Sequence, residues 1–266
     1  MRLAKLATAA AVATIIAAVG AVPRPASAVA PPADGTYGTI KGKLVYGGDA
    51  PSPKDLIAVG KATKDPAICA AKDAVPYEKL VVDPKTKGVA NAFVYIVKPK
   101  GKNPEAEKAL VEKAPEVEFD QKNCRFLPHS VAMHKAQKIV FKSSDPVGHN
   151  VHYTGFSNTK NFIVPPGGKA SEKMTVDSRP FKVVCDIHPW MEGWIMVFDH
   201  PFFAVTGPDG TFEIAGIPAG DQNFIVWQEG AGYVTDGAAK GKPVKVEAGK
   251  TTDVGAVRLE PAKFKP

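Results

Sequence analysis

The sequence predicts an all-β protein built as a sandwich. Short alternating apolar runs recur along the chain, Gly, Pro, Asn and Asp break in between them, and helical periodicity is almost absent. Twenty-four Gly and twenty-four Pro supply the turns. The one good helix candidate spans Asn103 to Lys113, where Asn103 can cap and Pro104 suits the first helical position.

Taken in order, the chain opens with Arg2 and Lys5, an apolar run from Leu6 to Val22, and the triplet Ala26-Ser27-Ala28. That is the pattern of a secretory signal peptide over residues 1–28, which places the mature protein outside the cytoplasm. The periplasm is the first expectation, an extracellular or cell-surface position the second. The apolar run falls short of the ~20 residues that cross a bilayer, and Pro23 and Pro25 interrupt it, so no membrane span is expected after cleavage. No Cys follows the cleavage site to carry a lipid anchor. Losing Arg2, Lys5 and Arg24 lowers the formal charge from +7 to +4. So small a surplus, without a basic run, argues against nucleic acid as a partner.

Residues 29–36 read as a flexible leader. Strands are expected at Gly38–Tyr46, Lys79–Val82 and Val89–Val97. A second block follows, at Val117–Phe126, Val131–Lys142, His149–Tyr153, Met174–Val176, Phe181–Cys185 and Gly193–Phe198. A third block from Val205 to Leu259 carries an Asp209-Gly210 hairpin signal, a turn at Gly216–Gly220, and strands at Phe224–Trp227 and Pro243–Val246.

Three cysteines are an odd number for an exported chain. Cys69 and Cys124 lack ligand-type neighbours at short spacing, and an oxidising compartment makes their disulfide the default. Cys185 is left over, in Cys185-Asp-Ile-His188-Pro-Trp-Met191-Glu-Gly193. A type-1 copper site takes one thiolate and two imidazoles in a plane with a weak axial thioether. Cys185, His188 and Met191 supply three of these donors from one short loop. His149, which stands 36 residues before Cys185 at a strand start, supplies the fourth. Met196 is the alternative thioether, although it reads as a strand residue. Asn150, next to a ligand, is expected to tie the two ligand segments together by hydrogen bonds. His152 should face away from the site; His129, His134 and His200 offer only a weak second metal site. Pro189 and Trp190 are expected on the rim, where an apolar patch can dock a partner; packing accounts for Trp190 equally well.

Ser143-Ser-Asp-Pro-Val-Gly-His-Asn-Val151 together with the Cys185–Gly193 loop resembles the plastocyanin/amicyanin family of small blue-copper proteins. The resemblance covers roughly residues 117 to 198 and implies a Greek-key cupredoxin sandwich and electron transfer. The tail is similar to carboxypeptidase regulatory-like (transthyretin-like) domains in Asp209-Gly-Thr-Phe-Glu-Ile214, Pro218-Ala219-Gly220 and Gly232-Tyr233, with upstream partners in Gly42-Lys43-Leu44 and Ala92-Phe93-Val94. That resemblance implies a copper block, residues 115–200, inserted into a second sandwich made of residues 36–100 plus 201–262.

A binuclear copper centre needs two bridging thiolates, and the loop has one. A multicopper oxidase needs histidines beside the Cys, where Val184 and Asp186 stand. A filled coordination shell leaves no open position for substrate, so an enzyme is not expected. The expected function is single-electron transfer with a redox partner such as a c-type cytochrome or a dehydrogenase. The alternative is a copper-handling or surface-adhesion module whose transthyretin-like part carries the partner site.

Overall fold

The computed structural model describes residues 36–265, and the expected signal peptide and the leader up to residue 35 lie outside them. The chain is all-β, with one α-helix among the described residues. That helix, Pro104–Lys113, starts where the sequence places it. The Asn103 side chain accepts the Ala106 N–H at 3.0 Å, Glu105 and Glu107 sit in the first turn, and Lys113 in the last.

Two sheets share the core that carries the candidate ligands. One has the strand order Thr159–Val164, His149–Thr154, Phe181–Val184, Glu192–Phe198, Ser130–His134; the other runs Lys169–Lys173, Lys138–Ser143, Glu116–Gln121, Phe126–Leu127. Phe119, Phe126, Phe141, Val151, Tyr153, Val183 and Ile195 fill the space between them. Alternation accounts for this: in Phe181–Val184, Phe181 and Val183 are buried while Lys182 and Val184 are partly exposed.

A second pair of sheets is built from the two ends of the chain. Tyr37–Tyr46 lies between Thr211–Pro218 (antiparallel) and Thr251–Leu259 (parallel). Phe93–Ile96 lies between Phe203–Val205 and Gly220–Gln228, and Gly220–Gln228 also pairs with Gly232–Tyr233 and Lys242–Val246. Their core holds Ile40, Leu44, Val94, Ile214, Phe224 and Leu259. The two cores meet at an aromatic seam where Phe93, Tyr95 and Trp227 pack with Met196, Phe198 and Trp194.

Residues 55–77 cross to the ligand-bearing side. Asp55–Ile57 pairs with Val75–Pro76, and Ala62, Cys69, Ala70 and Val75 are part of the same core as Cys185 and Met191. Cys69 and Cys124 form the expected disulfide, with Cα atoms 5.4 Å apart.

Three local expectations are corrected. Lys79–Val82 is not a strand but a bend with one isolated bridge, Val82 to Val89. Met174–Val176 carries no strand; the pairing runs over the preceding Lys169–Lys173, whose polar Lys-Ala-Ser-Glu-Lys suits an exposed edge. The Asp209-Gly210 turn forms, with Gly210 at φ +81, yet it does not close a hairpin. Phe203–Val205 pairs with Phe93–Ile96 and Thr211–Pro218 with Tyr37–Tyr46, so the turn hands the chain from one sheet to the other.

Candidate metal centre

His149 opens the strand His149–Thr154, and Cys185 follows directly on Phe181–Val184. These strands are antiparallel neighbours, Val184 opposite His152, so the start of one meets the end of the other. The loop after Cys185 then turns tightly: Met191 N–H donates to the His188 carbonyl at 2.9 Å and Cys185 N–H to the Met191 carbonyl at 3.2 Å. A side chain at Gly193 would collide with Phe119 and Phe126, which is why the strand can resume so close beneath the loop.

Three donor atoms converge. His149 Nδ1 and His188 Nδ1 are 3.0 Å apart, and the Cys185 Sγ stands 4.0 Å from the first and 3.7 Å from the second. A triangle with these sides has its centre about 2.1 Å from every corner, an ordinary metal–imidazole bond length and within about 0.2 Å of a metal–thiolate one. One ion therefore fits all three donors without rearrangement, in the His2Cys trigonal arrangement that suits copper. Met191 is buried on the same loop, its backbone tied to both Cys185 and His188. Met196 instead lies in the strand Glu192–Phe198 and packs into the aromatic seam.

Carboxylates set the ring orientation. Each imidazole donates its outer N–H to one: His149 Nε2 to Asp145 Oδ2 at 2.9 Å and His188 Nε2 to Asp65 Oδ2 at 2.8 Å. With an ion in place of the shared protons, rings held in this way at Nε2 would turn both Nδ1 atoms to it. Asp145 is fixed in turn by the backbone N–H groups of Asn123 and Cys124, at 2.7 and 2.8 Å. Those consecutive residues both sit at φ +53, which aims their N–H groups at the same carboxylate.

The electrostatics of the site favour a thiolate. Burial pushes the Cys185 thiol up, but hydrogen bonds to His149 and His188 outweigh it and bring it down to about 6. Burial pushes His149 down, yet Asp145 and Cys185 together raise it to about 9. Burial raises Asp145, and its hydrogen bonds from His149, Cys124 and Asn123 leave it lowered on balance.

Asn150 ties the two ligand segments. Its Oδ1 accepts the Asp186 N–H at 2.6 Å, and its Nδ2 donates to Asp186 Oδ2 and Asn161 Oδ1. His152 points away and pairs with Asp186 on the exposed side. His129 pairs with Glu229, His134 lies 3.4 Å from Glu107, and His200 accepts the Phe202 N–H. Among the described residues, none of these four histidines belongs to a cluster of three metal-type donors. Pro189 is exposed and Trp190 partly so; Trp190 donates its indole N–H to the Cys124 carbonyl at 3.2 Å.

An electron-transfer ligand is expected to show an edge to solvent, and its loop position makes His188 the candidate, but the structure does not show one. Its exposure is 0%, because the 55–77 segment covers it with Asp65 and the disulfide. Neither carboxylate was apparent from motif spacing. Asp145 stands four residues before His149, a local spacing; Asp65, 123 residues from His188, has no local signal.

No family model matches the chain, and no curated protein matches it. Among solved structures it is similar to a Cu(I) amicyanin variant at 12% identity, over 31% of this chain and 82% of that one, with a TM-score of 0.28. A second Cu(I) amicyanin variant shares 13% identity over 41% of this chain and 99% of that one, also at 0.28. A copper-containing nitrite reductase from Thermus scotoductus SA-01 shares 19% identity over 31% of this chain and 22% of that one, at 0.28.

Proposed function

We propose that this is an exported type-1 copper protein that passes single electrons between redox partners. The convergence of His149 Nδ1, His188 Nδ1 and Cys185 Sγ on one point about 2.1 Å from each carries this reading. Bound there, copper supplies one-electron cycling between Cu(I) and Cu(II). The protein's residues hold the donors still through the change. Asp145 and Asp65 fix the two rings, Asn150 locks the Cys185–His188 loop to the His149 strand, and the packed core excludes water. Met191 would offer its thioether to the ion as a weaker donor that tunes the site and does not hold it.

The second sandwich takes the carboxypeptidase regulatory-like reading. Its support is the motif in the tail together with the pairing of Tyr37–Tyr46 with Thr211–Pro218 and of Phe93–Ile96 with Gly220–Gln228. A c-type cytochrome or a dehydrogenase is the partner class, and catalysis is not part of the proposal. One observation favours the copper-handling alternative: both imidazoles are fully buried, which shields a bound ion and suits storage. The visible spectrum of the copper-loaded chain tests the main reading. An intense thiolate-to-copper charge-transfer band with reversible one-electron reduction is expected. A colourless copper form overturns it, and transfer of copper to an apo-acceptor without redox cycling favours the alternative.

A further inference from the structure

We propose that Asp65 is a positioning residue of the copper centre: from a disulfide-anchored cap it holds His188, shields that ligand's outer edge and favours the oxidised ion. This rests on the copper reading above.

The contact is not an incidental surface pair. His188 is fully buried, while Asp65 keeps 42% of its side chain exposed, so a charge at the water boundary acts on a ligand in a dry site. The turn that aims the carboxylate inward suits an Asp and is well braced. Asp65 adopts φ +44, a left-handed conformation that few residues other than Gly, Asn and Asp tolerate. Its carbonyl accepts the N–H groups of Ile68 and Cys69 at 2.9 and 2.8 Å, so the turn ends on the disulfide cysteine itself. The Cys69–Cys124 bond anchors the far end of the turn. Its two sulfurs lie within 4.8 Å of a His188 nitrogen, and the Trp190 ring packs 5.3 Å from the imidazole. Asp65, the disulfide and Trp190 together enclose the outer side of His188.

An imidazole whose outer N–H is held by a carboxylate is a more basic donor and favours the higher charge state of its metal. Asp145 gives His149 the same support. Asp65 adds the second carboxylate and, unlike Asp145, brings it on a segment that the chain could have left elsewhere.

The test uses the copper-loaded and zinc-loaded full mature chain. Asp65→Asn keeps an acceptor and removes the charge; Asp65→Ala removes both. Asp65→Asn should shift the Cu(II)/Cu(I) affinity ratio about tenfold, read as a rise of about 59 mV in reduction potential, with copper release near the wild-type rate. Asp65→Ala should show the same rise and release copper about 10–100-fold faster. In the zinc-loaded protein, 15N NMR should find the His188 Nε2–H protected from exchange in wild type and Asp65→Asn and unprotected in Asp65→Ala. If Asp65→Ala does not fold, the potential of Asp65→Asn and the wild-type NMR signal carry the test. A blue wild type whose variants keep its potential, release rate and Nε2–H protection overturns the role of Asp65 alone. A copper-loaded wild type without the blue band overturns the copper reading, and this proposal with it.

Discussion

Trp194 donates its indole N–H to Glu229 at 2.7 Å across the seam between the two sandwiches. The other oxygen of the same carboxylate meets His129 at 2.5 Å, and Trp194 and Trp227 pack with ring centroids 5.0 Å apart beside it. One buried carboxylate on the tail thus gathers two side chains from the ligand-bearing half.

Removing that carboxylate should be costly. Glu229→Ala leaves the buried His129 and the partly buried Trp194 without their acceptor, and a loss of about 3–5 kcal/mol is expected in urea unfolding. A loss under about 1 kcal/mol would show that the seam is not held here. The pairing also has a pH signature. Burial pulls His129 down, the bond and charge of Glu229 outweigh it, and its folded value ends above 6.5. Its stabilisation is therefore complete below pH 6.5 and fades as pH rises through the folded value; Glu229→Ala should lack that alkaline decline.

His200 leans the other way. Burial lowers it from 6.5 to about 4, with Asp199 opposing and His134 assisting. Its folded value lies below the unfolded one, so stability is complete above pH 6.5 and falls as pH drops towards 4. The loss is at most about 3 kcal/mol. His200→Phe, which keeps the ring against Phe198 and Phe202, should flatten melting temperature against pH over that window. An unchanged slope would place the acid sensitivity elsewhere.

The candidate ligands should separate by role. Cys185→Ser should abolish the blue band and most copper binding. Met191→Leu should keep copper and colour while raising the reduction potential, since an axial thioether tunes the site. His149→Ala should open an equatorial position that added imidazole refills, with recovery of colour. Retention of the blue band in Cys185→Ser would remove the thiolate from the site.

The disulfide spans 55 residues, and the chain-entropy estimate values its loss at about 4 kcal/mol. The Cys69→Ala, Cys124→Ala double variant should melt at a lower temperature by calorimetry. It should also bind copper less tightly, because the disulfide backs His188. A drop in stability with copper affinity unchanged would separate the bond from the site.

How much could be read beforehand follows from how local each signal is. Cys185, His188 and Met191 share one loop, because donors that must meet on one ion after a strand end are forced into close spacing. Phe119, Phe141 and Val151 show in alternating runs because they face one core. Lys169–Lys173 leaves no apolar rhythm because an exposed edge strand carries polar residues, and in Thr159–Val164 the unbroken Phe162-Ile163-Val164 run hides the alternation between core and solvent. The Asp209-Gly210 turn was legible as a turn, but nothing local says which sheet each flank joins. Asp65 is the extreme case, since its importance comes wholly from a long-range turn and a disulfide.

Tyr37–Tyr46 accepts Thr251–Leu259 as a parallel neighbour, so the first strand of the described chain waits for the last one. A nascent chain exposes that edge through the synthesis of more than two hundred residues, whereas Glu116 to Phe198 can pair among themselves much earlier. The ligand-bearing half is thereby free to close around its thiol and imidazoles before the outer half is finished. A polypeptide cut short before Thr251 would carry a formed metal pocket on an open, association-prone sheet edge.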